Sequence, residues 1–228
     1  MTFAEQILFF TQHLQLPVAV PPGIEVMNPF QDAYTREICS HFYTKYYHDH
    51  AARWMMIGIN PGRFGGGITG IPFTDPIRLQ NRCGIENSWP KKQELSSVFM
   101  YEMMDAFGGP AAFYRNFYIT SVSPLGFTKN NKNLNYYDDR HLQASVKEFA
   151  VECLYRQLEF GIQRTAAFCL GEGKNYQYLT ALNKEVNVFE KIIPLSHPRF
   201  IMQYRLRYKP DYIASYLQKF YEEGIVKG

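Results

Sequence analysis

The chain has 228 residues, 46% hydrophobic and 20% charged, which excludes a disordered or fibrous protein and suffices for a sizeable core. Lys and Arg number 24 against 21 Asp and Glu, and this net charge of +3 excludes a heavily basic nucleic-acid coat, so any such contact needs a local patch. Four scattered cysteines without a Cys-x-x-Cys pair predict reduced thiols rather than a zinc knuckle or an iron–sulfur cluster.

The opening MTFAEQILFFTQHLQL lacks a basic start and is broken by Glu5, Gln6 and Gln12, so neither export nor membrane spanning is expected. The expected location is cytoplasmic in a bacterial cell or nuclear in a eukaryotic one. Thr2 with Glu5 forms a capping-box pattern, and Phe3, Ile7, Phe10 and Leu14 follow at helical spacing. Pro17, Pro21, Pro22 and Pro29 predict irregular chain before a second helix striped by Tyr34, Ile38, Phe42 and Tyr46. Arg53–Ile59 reads as the first central strand. Leu95, Val98, Phe99, Met103 and Phe107 mark a helix closed by Gly108-Gly109-Pro110, and Asn116–Ser121 is the second strand. Asn130–Asn135 is polar enough for an exposed loop. A helix carrying Leu142, Val146, Phe149, Cys153 and Leu158 precedes the third strand, Thr165–Leu170. A shorter helix spans Tyr176–Leu182, Val188–Leu195 is the fourth strand, and Asp211–Tyr221 is the closing helix.

This alternation predicts an α/β fold, a three-layer α/β/α sandwich with a central four-stranded, mainly parallel sheet. Residues 1–228 are expected to form a single domain, with 1–50 a helical extension packed on it. Ligands gather outside the carboxyl ends of such strands, so the four loops that follow strands are the candidate site. The first, GINPGRFGGGITGIPF from Gly58 to Phe73, holds six glycines and two prolines in sixteen positions, a tightly turned backbone that a ligand can approach closely. It does not place Gly-x-Gly-x-x-Gly spacing at a strand end as a dinucleotide site does, and Gly171-Glu172-Gly173-Lys174 is not a full phosphate loop. His48-Asp49-His50 has no third ligand at recognisable spacing and reads as a polar turn.

The glycine loop resembles the first active-site motif of the uracil-DNA glycosylase superfamily, closest to its single-strand-selective monofunctional branch, with Asn60 pointing to that branch. Ser196-His197-Pro198-Arg199 resembles the His-Pro motif that the superfamily carries after its last strand. The likeness runs from about Arg53 to Arg207 and omits the first fifty residues. It implies a monofunctional DNA glycosylase of base excision repair, acting as a monomer on single- or double-stranded DNA, without a metal or organic cofactor and without a membrane partner.

Base removal passes through an oxocarbenium-like sugar, so the site must stabilise charge on the departing base and place a water near C1′. Asn60 cannot accept a proton but can orient that water, and His197 can donate to the base oxygen on which charge develops. The resemblance assigns base stacking to Phe73 and pocket lining to Phe64. It assigns base-edge reading to the backbone of Ile59, Pro61 and Phe64, with Gly62 leaving room. Ser123, Ser196, Pro198, Arg199, Arg205 and Arg207 are the expected DNA contacts, Lys209 extends the basic run, and Phe200, Met202 and Tyr204 are candidates for an apolar wedge. No catalytic lysine is expected in the loops.

Ser121 stands where the resemblance expects a base-reading asparagine, and Gly66 replaces a larger residue, so a roomier pocket is expected, open to uracil and also to xanthine and hypoxanthine. The His-Pro segment is shorter than usual before its arginine. Two rival readings stay open from the sequence: a nucleic-acid-binding relative that lost turnover, and an unrelated hydrolase that uses the glycine loop for a nucleotide phosphate.

Overall fold

A computed structural model describes residues 1–226. Thr2 caps helix α1 (Phe3–Gln12): its hydroxyl accepts the Glu5 N–H while the Glu5 carboxylate accepts the Thr2 N–H, satisfying two first-turn amides. Strand β1 (Ile24–Met27) follows, where the surrounding prolines predict irregular chain. None of those prolines falls inside the strand, and β1 is an edge that pairs only with β4, so the prediction fails for a local reason. Helix α2 (Ala33–Tyr47) is capped by Asp32 and leads to β2 (Arg53–Gly58). Helices α3 (Gly66–Thr69), α4 (Pro76–Cys83), α5 (Leu95–Phe107) and α6 (Pro110–Asn116) precede β3 (Phe117–Ser121).

The segment expected as an exposed loop is instead a hairpin of β4 (Gly126–Lys129) and β5 (Lys132–Leu134). Its two connecting residues, Asn130 and Asn131, have φ of 51° and 57°, the left-handed pair that a tight hairpin turn needs and asparagine tolerates. The chain continues through α7 (Arg140–Leu158), β6 (Ile162–Leu170), α8 (Lys174–Val186), β7 (Ile192–Leu195), α9 (Pro198–Tyr204) and α10 (Lys209–Glu222). Strand β7 starts later than the apolar run because Phe189 is held by the Asn183 side chain through its N–H and its carbonyl, not by strand pairing.

The central sheet has the order β3-β2-β6-β7, and all its neighbours are parallel. Side-chain alternation along β3 separates two helical layers. Phe117 faces Phe107 of α5, Phe113 of α6 and Phe220 of α10. Tyr118 and Thr120 point the other way, where both hydroxyls donate to Gln157 of α7. The protein is therefore a three-layer α/β/α sandwich, with β1, β4 and β5 as a small antiparallel sheet beside the loops at the strand ends. Among the described residues no helix is long and apolar enough to cross a membrane.

Arg53 ties the N-terminal segment to this core. Its fully buried guanidinium lies 4.6 Å from the Phe3 ring and 4.7 Å from the Tyr47 ring, and donates to Asp49, Ala51 O and Tyr114 O. Asp49, in the turn that contains the two histidines, thus serves an ion pair. The Arg53 hydrogen bonds hold the Asp49 carboxyl below its usual range. A lowered carboxyl pKa contributes stability above the unfolded value, lost as pH falls through the folded one. Asp49→Asn should cost about 2 kcal/mol near neutral pH, below the usual figure for a buried pair because Asp49 is partly exposed. Thermal melts at pH 7 and pH 3 check this, and the variant should lose less than the parent on acidification.

Candidate active site

Strand β2 delivers Gly58 to the carboxyl edge of the sheet, and the Phe73 ring lies against it. An added Cβ at Gly58 would stand 3.1 Å from Phe73 Cε2 and 3.3 Å from Ser121 Oγ, so a larger residue would make the ring or the hydroxyl give way by a few tenths of an ångström. Phe73 has φ 53°, a strained value for a bulky side chain. It is pinned where its carbonyl accepts from Ser97 Oγ at 2.6 Å. The ring faces His197 at a centroid distance of 6.1 Å.

Asn60 is held by the β4–β5 hairpin and the residues after it. Its Nδ2 donates to Leu134 O at 3.1 Å and its Oδ1 accepts the Tyr136 N–H at 3.0 Å, so the backbone fixes which end of the amide is which. Tyr136 is anchored in turn by its hydroxyl, which donates to Asn175 Oδ1 at 2.9 Å. One Oδ1 lone pair stays available to orient a water.

His197 caps α9. Its Nδ1 accepts the Arg199 N–H at 3.1 Å, which leaves the ring proton on Nε2. Burial and the nearby Arg199 charge push its pKa down to about 4. The ring is therefore a neutral donor at physiological pH, as a leaving base needs. The short His-Pro-Arg segment is built as a helix start rather than an extended loop, with Pro198 buried in the first turn.

Asn60, Phe73, Ser121 and His197 line one cavity of about 640 Å³, together with Ile59 and Pro61. Gly62 and Gly66 line it as well. Phe64 does not line it; its ring is covered by Arg63 and by Lys92. Gly62 lines the cavity beside the Glu94 carboxyl, where an added Cβ would lie 2.8 Å from Glu94 Oε1. Gly66 lines the cavity, but a Cβ there would press on Ile71 O at 3.3 Å.

Ser123 is fully buried and donates to Leu125 O, and Ser196 is 9% exposed and donates to Glu172, so both hydroxyls serve the loops and not a surface contact. Arg199, Arg205 and Arg207 are exposed. Phe200 and Tyr204, 41% and 61% exposed, stand at the cavity mouth, whereas Met202 turns toward the core. Lys209 is paired with Glu102.

Sequence reasoning misses Glu94 and Lys174, which both line the cavity. Burial and the neighbouring Asp75 push the Glu94 carboxyl up to about 7. Lys174 is exposed, with its Nζ 5.6 Å from the Tyr137 ring.

The family model described as Uracil DNA glycosylase superfamily matches residues 44–221. The crystal structure of wild-type SMUG2 from Pedobacter heparinus is 47% identical, with a TM-score of 0.95, and the match covers 98% of this chain and 99% of that one. That likeness takes in the N-terminal segment, which the motifs alone leave out. No curated protein sequence matches the chain.

Proposed function

Because the chain belongs to the uracil-DNA glycosylase superfamily, and so acts as a DNA glycosylase, we propose that it is a monofunctional enzyme of base excision repair that removes uracil and also the deaminated purines xanthine and hypoxanthine. The observation that carries this reading is the meeting of the Asn60 amide, the Phe73 ring and a neutral Nε2–H of His197 in one cavity.

An extruded base stacks on Phe73 and accepts from His197 Nε2 as the glycosidic bond breaks and charge moves onto the base. Asn60 holds the water that adds to C1′, a positioning role, since an amide takes up no proton. Ser121 offers a single hydroxyl in place of a two-point amide, which supports a broader choice of base.

The exposed pair Phe200 and Tyr204 fits the wedge that fills the vacated stack, and Arg199, Arg205 and Arg207 around it fit phosphates. A Schiff-base lysine needs desolvation or a neighbouring cation to become nucleophilic. The exposure of Lys174 therefore supports hydrolysis without a strand-cleaving step.

The test incubates the protein with single- and double-stranded oligonucleotides that carry uracil, xanthine, hypoxanthine or mismatched thymine. Breaks at uracil and both deaminated purines that require alkali are the expected result. Breaks without alkali would overturn the monofunctional reading, and removal of uracil alone would overturn the broad one.

A further inference from the structure

Glu94 is a titratable group of the cavity with no task in the mechanism above. It is the residue before α5, and its backbone N–H is taken by Asp75 Oδ2 at 2.9 Å. Its carboxyl is packed on the bare Cα atoms of the first loop. An added Cβ at Gly65 would lie 2.0 Å from Glu94 Oε2, and one at Gly62 would lie 2.8 Å from Oε1. The glycines of this loop therefore accommodate the carboxyl, and Glu94 lines the cavity that Phe73 and His197 line.

Among the described residues no hydrogen bond engages its two oxygens. The charged groups that face it are Asp75, which starts α4 and opposes ionisation, and Arg199 of α9, which favours it. On the loop itself, the Arg63 guanidinium is turned to Asn131 O and the Phe64 ring. The balance leaves the carboxyl titrating at about 7, so it holds a proton over part of the physiological range.

The placement across the cavity gives this proton a target. Glu94 rests on the loop after β2, His197 follows β7, and β6 lies between those strands. Glu94 and His197 stand at the starts of α5 and α9, which pack together, and Arg199 of α9 faces the Glu94 carboxyl, so the two groups reach one cavity from different loops. A base that accepts from His197 on one side of its glycosidic bond leaves its other side free for a second donor of this cavity. On uracil that side offers C–H groups before O4, whereas on a 6-oxopurine it offers the adjacent acceptors N7 and O6.

We propose that Glu94 is a leaving-group acid specific to deaminated purines, its carboxyl proton directed at the N7/O6 edge opposite His197. The inference rests on the glycosylase reading above. As the C1′–N9 bond breaks, its electron pair passes to the purine and the Glu94 proton moves to N7. Water adds to C1′ and releases a proton, which returns through solvent to the carboxylate, so one water is consumed and the base departs neutral.

The experiment measures single-turnover excision of hypoxanthine, xanthine and uracil from pH 6 to 9 by the parent and by Glu94→Gln. Glutamine keeps the volume against Gly62 and Gly65. Thermal melting and affinity for DNA with a tetrahydrofuran abasic analogue establish that the variant is folded and binds.

For the parent, the purine-to-uracil rate ratio should fall as pH rises above about 7, where the carboxyl ionises. In Glu94→Gln that ratio should be about a hundredfold lower at pH 6, the lower end of general-acid contributions, and independent of pH. A ratio unaffected by pH in the parent, a ratio retained in the variant, or a parent that removes uracil but neither purine overturns the proposal. A parent that removes no base at all overturns the glycosylase reading instead.

Discussion

His197→Ser is expected to slow excision of uracil about a hundredfold to a thousandfold, the usual loss for one donor to a developing anion, while the protein melts close to the parent temperature. The two effects separate because the ring does two jobs. Nδ1 accepts the Arg199 N–H and caps α9, a task that serine performs as well, whereas Nε2–H points to the cavity and serine cannot reach there. His197→Ala removes the cap also, and should cost about 1 kcal/mol of stability in addition.

The lowered pKa fixes the pH behaviour. The ring is charged only near pH 4, so uracil excision by the parent should hold level from pH 8 down to about 5. A histidine with a folded pKa below its unfolded value of 6.5 contributes stability that is fully present above 6.5 and lost as pH falls toward 4. The serine variant lacks that loss. Excision by His197→Ser within about threefold of the parent would remove the histidine from the chemistry, against the range for such donors.

What was legible in the sequence, and what was not, follows from the range of the interactions. The central strands announce themselves as apolar runs, and the two motifs sit at the ends of β2 and β7, so Asn60, Phe73 and His197 could be named from the family resemblance those motifs carry. The hairpin that aims Asn60 could not. Strand β5 is Lys-Asn-Leu, mostly exposed, and is defined by pairing with β4 and by an Asn-Asn turn rather than by hydrophobic period. Glu94 carries no local signal either, because its environment comes from glycines about thirty positions away. Ser123 and Ser196 misled for the opposite reason. A polar residue after a buried strand looks accessible, yet the Ser123 hydroxyl is consumed inside its own loop and that of Ser196 by Glu172 of the loop after β6.

Asn60→Ala should reduce excision by a hundredfold or more, about the contribution of a group that positions the attacking water, with DNA affinity largely kept. The more informative change is Asn60→Asp. If the site only needed an oxygen near the water, a carboxylate would serve and could even act as a base. The hairpin argues otherwise. Leu134 O lies 3.1 Å from Nδ2, so an aspartate would set an anionic oxygen against a carbonyl oxygen, although its other oxygen could still accept the Tyr136 N–H. The ionised side chain should therefore swing from its place and take the water with it. Protonation restores a donor toward Leu134 O, so the residual activity of Asn60→Asp should rise as pH falls from 8 to 5. A general base would give the reverse slope, with activity rising as pH rises. A pH–rate profile of Asn60→Asp on a uracil oligonucleotide decides between them, and an upward slope with pH would mean that Asn60 is not held to the hairpin during turnover as it is at rest.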